Sequence, residues 1–224
     1  MVKVKICGIR TLEDVEIINR YKPDYIGFVF APSKRRVSPK DAEILANKVD
    51  SSIKKVGVFV NQPMEMLTEL LCKGTLDYLQ LHGEEDESYE TKLFELLKEK
   101  GISCPEDKCI KAFRIKDEKD IEMVKNTKCS WLLLDAFSRA GQGGTGETFD
   151  WNLIKKMEKP FFLAGGIHSG NVKKAIQQVQ PFGIDASSSL ETDGIKDKEK
   201  IKVFLETIRE AKNGSILIKN NVVL

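Results

Sequence analysis

KKVGVFVNQPMEMLTELLCKGTLDYLQLHG, residues 54–83, holds the repeating unit of the whole chain. Its first part, KKVGVFV (54–60), is a short apolar run rich in β-branched and aromatic residues, and DYLQLHG (77–83) is another. Between them PMEMLTELLCK (63–73) carries apolar residues at i, i+3 and i+4 and opens on proline, as an amphipathic helix does. A strand, a helix of this length and a second strand form a crossover unit, which joins parallel strands.

The same order recurs along the chain. Strands are expected at 3–9, 25–30, 54–60, 77–83, 109–115, 130–137, 161–167 and 183–191. Amphipathic stretches separate them: LEDVEIINRY, SPKDAEILANKV, PMEMLTELLCK, EDESYETKLFELLKEK, EKDIEMVKN, WNLIKKM, GNVKKAIQQV and KDKEKIKVFLETIREAK. Strict alternation with no segment to spare predicts one α/β domain over residues 1–213, a closed (β/α)8 TIM barrel. An open doubly wound sheet is the competing arrangement, and its G-x-G-x-x-G turn after the first strand is absent. GISCPEDKC (101–109) reads as a loop entering the fifth strand from below. The tail GSILIKNNVVL (214–224) has a β-leaning composition and no assigned packing.

Composition narrows the function. At 224 residues, 41% hydrophobic and 31% charged, the chain has material for a sizeable core. Lys+Arg 36 against Asp+Glu 34 leaves a net charge of +2, which gives neither a nucleic-acid footprint nor a polybasic membrane patch. Met1–Lys5 lacks the apolar core of a signal peptide, and no apolar run reaches the length of a membrane span. Cys7, Cys72, Cys104, Cys109 and Cys129 are scattered without a C-x-x-C pair, so reduced thiols in a cytoplasmic protein are expected. With only His82 and His168 besides, no metal site is expected.

In a (β/α)8 barrel the chemistry gathers where the strands end. Side chains alternate with period two. On the first strand this sends Val4 and Ile6 outward and Lys3, Lys5 and Cys7 toward the axis, with Cys7 uppermost. By the same count His82 stands above Gln80, Asp135 above Leu133 and Trp131, and Asp185 and Ser187 approach the mouth. A thiol and a carboxyl group facing one another are equipment for moving a proton to and from carbon. The thiol would need a cation or the substrate to favour its deprotonation, and Lys5 lies one layer below. Cys7 taken alone would otherwise be read as a packed hydrophobe.

The loops supply charge and shape. LAGGIHSGNV (163–172) follows strand seven with Gly165 and Gly166, and DASSSLE (185–191) follows strand eight with three serines. Loops in these positions bind phosphate through backbone N–H groups, with serine hydroxyls as further donors. APSKRRVSP (31–39) offers Arg35 or Arg36 for a bidentate grip on a carboxylate. SRAGQGGTGETFDW (138–151) is long and glycine-rich enough to serve as a lid. The constellation fits a small molecule with phosphate at one end, carboxylate at the other, and proton transfer between them.

The stretches KICGI, GFVF, SKRRVSP, VGVFVN, LQLHG, LLLDA, GGTGETFDW, LAGGI and DASSSLE, followed by the helix from KDKEKI, run in this order over all eight strands. Together they resemble the phosphoribosylanthranilate isomerase family of tryptophan biosynthesis. The resemblance implies the Amadori rearrangement of N-(5-phosphoribosyl)anthranilate to 1-(2-carboxyphenylamino)-1-deoxyribulose 5-phosphate, without metal or organic cofactor. Carried onto the matching positions, it makes Cys7 the general base and Asp135 the general acid. Arg35 becomes the partner of the anthranilate carboxylate, Gly165, Gly166, Ser187 and Ser188 the phosphate cradle, and His82 and Asp185 pocket-lining residues. Many relatives carry glycine where this chain has Ser189. A monomer or homodimer is expected, with no nucleic acid and no membrane among its partners.

Three rivals keep part of this pattern. The histidine-pathway isomerase of the same chemistry uses aspartate where this chain has Cys7, and needs a second glycine-rich phosphate loop that VFVNQP does not offer. Indole-glycerol-phosphate synthase needs lysine and glutamate at strand tips, whereas Lys111 sits mid-strand. A non-catalytic phosphate-binding barrel would keep the glycine loops and lose the Cys7 and Asp135 pair.

Overall fold

The computed structural model describes residues 2–136, 151, 154 and 157–220. Eight parallel strands close into a barrel in chain order: β1 Lys3–Cys7, β2 Tyr25–Val29, β3 Lys54–Phe59, β4 Tyr78–Leu81, β5 Cys109–Ile115, β6 Trp131–Ala136, β7 Phe161–Ala164 and β8 Gly183–Ala186. The ring closes where Lys5 of β1 registers with Asp185 of β8. Seven α-helices are described around it: α1 Leu12–Tyr21, α2 Pro39–Ala46, α3 Met64–Cys72, α4 Glu87–Glu99, α5 Glu118–Met123, α6 Val172–Val179 and α7 Lys198–Asn220.

Local chemistry starts and stops these helices where they are needed. Thr11 and Asp14 form a reciprocal capping box at the start of α1, and the helix ends at Lys22 in the left-handed region (φ 48°). Ser38 accepts from the Asp41 N–H at the start of α2, and Pro39 takes the first helical position, where a missing N–H costs nothing. Asp86 caps α4 in the same manner.

Two apolar clusters divide the strand faces as the period of two requires. Outward residues such as Val4, Ile6, Ile26, Phe28, Leu79, Leu132 and Ile184 pack beneath the helices. Inward residues Val56, Ile110, Ala112, Leu133, Phe162 and Ala164 fill the barrel, with Tyr25, Tyr78, Trp131 and Phe182 packed against them. The Tyr25 and Phe162 rings meet edge to face at 5.2 Å. The interior is therefore plugged by side chains, and polar chemistry is confined to the top.

Several strands end earlier than their composition suggests. β7 stops at Ala164 because Gly165 and Gly166 adopt φ 87° and 61°. β8 stops at Ala186, and Ser188–Leu190 form a 3₁₀ turn. Glu191, expected at the end of the eighth strand, instead opens a small antiparallel hairpin, β9 Glu191–Thr192 and β10 Ile195–Lys196. Its turn is Asp193-Gly194, both at positive φ (51° and 78°), the conformation that a two-residue hairpin demands. The backbone of α7 runs on to Asn220, so residues 214–220 continue a helix despite their β-leaning composition. The lid expected over 138–151, apart from Trp151, and most of the helix expected at WNLIKKM lie outside the described residues.

Candidate active site

Cys7 ends β1 and points inward, and two glycines make its place. Gly27, its register partner on β2, has no side chain; a Cβ there would lie 2.6 Å from the Cys7 sulfur. Gly8 follows at φ 89°, a conformation that L side chains rarely adopt. A Cβ at Gly8 would also sit 2.6 Å from Cδ of Arg35, so the Arg35 side chain lies across the strand end beside the thiol. The backbone of Gly8 and Ile9 is pinned by two hydrogen bonds to the Gly27 carbonyl, at 2.8 and 3.0 Å.

Beneath the thiol, the fully buried Lys5 donates to Asp185 at 3.0 Å. Burial pushes the Cys7 thiol above its ordinary value, and the Lys5 and Lys196 ammonium groups pull against that rise. Burial would lower the Lys5 ammonium, but the negative charges of Asp185 and Cys7 outweigh it and the net direction is up. Asp185 is itself raised, because burial outweighs the pull of Lys5.

Asp135 stands near the end of β6, half-buried, with His82 Nε2 3.8 Å from its Oδ2. The other ring nitrogen of His82, Nδ1, is hydrogen-bonded to the Gln80 side-chain amide at 2.7 Å. Gln80 is buried two residues below on β4 and fixes the ring's orientation.

Loop chemistry ties these parts into one rim. Ser187 donates through its hydroxyl to the Cys7 carbonyl at 2.9 Å, joining the eighth loop to the first strand. Ser189 donates to the Ile167 carbonyl at 2.6 Å, joining loops eight and seven. Ser189 is thus a cross-loop fastener. Ser188 is exposed between the two, and Gly166 has nothing within 4 Å of a would-be Cβ, so its positive φ alone calls for glycine. Arg10 reaches from the first loop to the Lys34 carbonyl (2.9 Å) and to the Gly194 carbonyl of the hairpin turn (2.7 Å).

Of the two arginines, Arg35 turns into the mouth and Arg36 is exposed. Arg35 is already engaged: Nε and one terminal nitrogen grip both oxygens of Glu191 at 2.7 and 2.6 Å. The buried Lys196 donates to the same carboxylate at 2.6 Å. Burial would raise Glu191, yet these hydrogen bonds bring it down to about 2. Neither Glu191 nor Lys196 is singled out by the strand-tip reading, although the Asp193-Gly194 pair is a hairpin-turn signal that would bring them together.

A separate cavity of about 840 Å3 opens on the far side of His82, between the tops of α4 and α5. Six carboxylates line it (Glu84, Glu85, Asp86, Glu87, Glu90, Asp120) against two cations, Lys111 and Arg114. That balance repels a doubly anionic ligand, and neither Cys7 nor Arg35 borders the cavity. Lys111, set aside by sequence for lying mid-strand, is buried and paired with Glu85 at 3.0 Å. No group of three or more metal-ligating side chains occurs among the described residues.

Residues 4–207 match the family model described as N-(5'phosphoribosyl)anthranilate (PRA) isomerase. The chain belongs to the N-(5'-phosphoribosyl)anthranilate isomerase family. The family's isomerase from Clostridium acetobutylicum is 48% identical over 216 residues, covering 95% of this chain and all of the relative. The one from Thermoanaerobacter pseudethanolicus is 44% identical over 213 residues, covering 93% of this chain and 98% of the relative. The crystal structure of phosphoribosyl anthranilate isomerase from Thermotoga maritima superposes with a TM-score of 0.79 at 36% identity, covering 94% of this chain and all of that one. A second crystal structure of the isomerase, at 34% identity and TM-score 0.75, covers the same shares and holds reduced 1-(o-carboxyphenylamino)-1-deoxyribulose 5-phosphate. The closed barrel predicted from the alternation of strands and helices is the fold of these isomerases as well as of this chain.

Proposed function

We infer that the protein is an isomerase of tryptophan biosynthesis, converting N-(5-phosphoribosyl)anthranilate to 1-(2-carboxyphenylamino)-1-deoxyribulose 5-phosphate. The observation that carries the reading is Cys7 seated in the notch left by Gly27, on the same rim as Asp135, in a chain of this family. Asp135 gives a proton to the furanose ring oxygen, the C1–O bond breaks, and the anthranilate nitrogen closes a protonated Schiff base with C1. That cation acidifies the C2–H bond, and Cys7 as thiolate takes the proton to give an enolamine. Return of a proton at C1 and loss of one from the C2 hydroxyl yield the ketone, so the atoms balance without a cofactor.

The remaining roles follow from charge. Arg35 receives the anthranilate carboxylate beside the thiol. Gly165, Gly166, Ser187 and Ser188 receive the phosphate on backbone and hydroxyl donors, and His82 and Asp185 line the space between. Against the histidine-pathway reaction stands the thiol at the tip of β1. Against a non-catalytic phosphate module stands the retention of both Cys7 and Asp135.

The chain acts in the cytoplasm, as a monomer or homodimer; one related structure is of monomers generated from a dimeric Thermotoga maritima enzyme. No helix among the described residues is long and apolar enough to cross a membrane. The test is loss of phosphoribosylanthranilate fluorescence on adding purified protein, beside Cys7→Ser and Asp135→Asn. Rapid loss with the wild type and at least a hundredfold slower loss with each variant is expected, on the order of the contribution of one acid or base. A folded wild type that leaves the fluorescence unchanged would return the phosphate-binding module to first place.

A further inference from the structure

Glu191 and Lys196 face each other across the β9–β10 hairpin, and their burial is extreme for charged groups. Their side chains are 5% and 1% exposed. Lys196 donates to Oε1 of Glu191 at 2.6 Å and to the Ser187 carbonyl at 3.2 Å, and the Arg35 fork donates to both Glu191 oxygens, sharing Oε1 with Lys196. A buried cation is costly, and a simple latch for the hairpin would not need one.

The charge count explains its presence. Arg35 and Glu191 alone form a neutral pair, with no net attraction for a further carboxylate. Lys196 restores one positive charge to the cluster. It shares Oε1 of Glu191 with Nε of Arg35, while the rest of the Arg35 side chain lies over Gly8 beside the thiol. Of the five N–H groups of Arg35, two point at Glu191, leaving both on one terminal nitrogen and one on the other for a ligand.

We propose that Lys196, acting through Glu191, is the positioning residue that lets Arg35 bind the substrate's aryl carboxylate: Glu191 fixes the plane of the guanidinium, and Lys196 neutralises Glu191 so that Arg35 still carries a usable charge. This rests on Arg35 being the carboxylate partner. Ligands that differ only in the carboxylate therefore test it.

The probes are reduced 1-(2-carboxyphenylamino)-1-deoxyribulose 5-phosphate and its phenylamino counterpart without the carboxylate, titrated calorimetrically onto the full chain. The wild type binds the carboxylated ligand more tightly. Lys196→Met weakens that ligand by about tenfold or more, within the range for losing one close charge at a binding site, and leaves the other within about twofold. Lys196→Met/Glu191→Gln returns the cluster to one positive charge and recovers most of the loss. A merely structural lysine would weaken both ligands alike and would not be rescued by the second change; either result overturns the proposal. Lys196→Gln, which keeps a donor toward Ser187 and Glu191, replaces Lys196→Met if thermal unfolding shows the latter misfolded. A wild type that binds both ligands equally would instead remove Arg35 from the carboxylate site.

Discussion

Gly27→Ala is the sharpest probe of the thiol, because it adds one methyl group and no polar atom. The new Cβ would lie 2.6 Å from Sγ, 3.2 Å from Cα and 3.3 Å from Cβ of Cys7. Ordinary contact begins near 3.4 Å, so the sulfur must retreat by 3.4 minus 2.6, about 0.8 Å. A reacting group misplaced by ~1 Å loses roughly a hundredfold in rate, equivalent to about 2.7 kcal/mol of barrier. Overpacking a strand pair costs about 1–3 kcal/mol of stability, which in a chain of this size lowers Tm by a few degrees per kcal/mol. The expected variant is folded, binds the reduced product analogue nearly as the wild type does, and turns over about a hundredfold more slowly. In a Cys7→Ala background the sulfur is gone, and the same methyl group should cost less stability than it does beside the thiol. A turnover within about threefold of wild type, with Tm lowered as expected, would refute the argument that the sulfur in this notch removes the C2 proton.

Alkylation of Cys7 by iodoacetamide, followed peptide by peptide across pH, should rise with a midpoint above the ordinary 9.0, since burial disfavours the thiolate more than the cations favour it. Lys5→Met should move that midpoint higher still, because Lys5 pulls it down; an unchanged midpoint would detach Lys5 from the thiol. Arg35→Ala should raise KM for phosphoribosylanthranilate by tenfold or more through loss of a charge-assisted carboxylate contact, while Arg36→Ala leaves it within about twofold. The reverse order would mean that the exposed arginine, and not the one over Gly8, meets the substrate.

The barrel is legible in the sequence because every strand is buried on both faces, so apolar runs such as YIGFV and FFLA stand out between amphipathic helices. Side-chain facing is legible too: Leu133 and Trp131 line the interior below Asp135, and Val4 and Ile6 lie under the helices. Strand ends are not, since Ile167 and Leu190 prolong the apolar runs beyond Gly165-Gly166 and Ser187–Ser189, where the backbone has already left the extended region. The tail misled for a related reason. Ile216 and Ile218 favour strands, but intrinsic propensity is a weak prior against continuing a helix that is already formed. Glu191 and Lys196 escaped notice because a strand of two residues has no periodicity to read, and their meaning appears only when the hairpin brings them behind Arg35.

The mouth then divides its charges by depth. The lower layer is the buried pair of Lys5 with Asp185 beneath Cys7. The upper layer, Arg35 with Glu191 and Lys196, carries one positive charge in excess, over Gly8 beside the thiol. A thiol held above its ordinary pKa between these layers is scarce as thiolate but strongly basic, a fair match for a C–H bond acidified by a neighbouring cation. Lys5 and Lys196 limit how scarce the thiolate becomes, and burial keeps water from competing for its proton. Gly27 and Gly8 complete the arrangement by omission: one leaves room for the sulfur, the other for the arginine that lies across it. On the proposed reading, a strand that ends on cysteine and glycine is a strand whose tip has been cleared on both sides for a proton transfer.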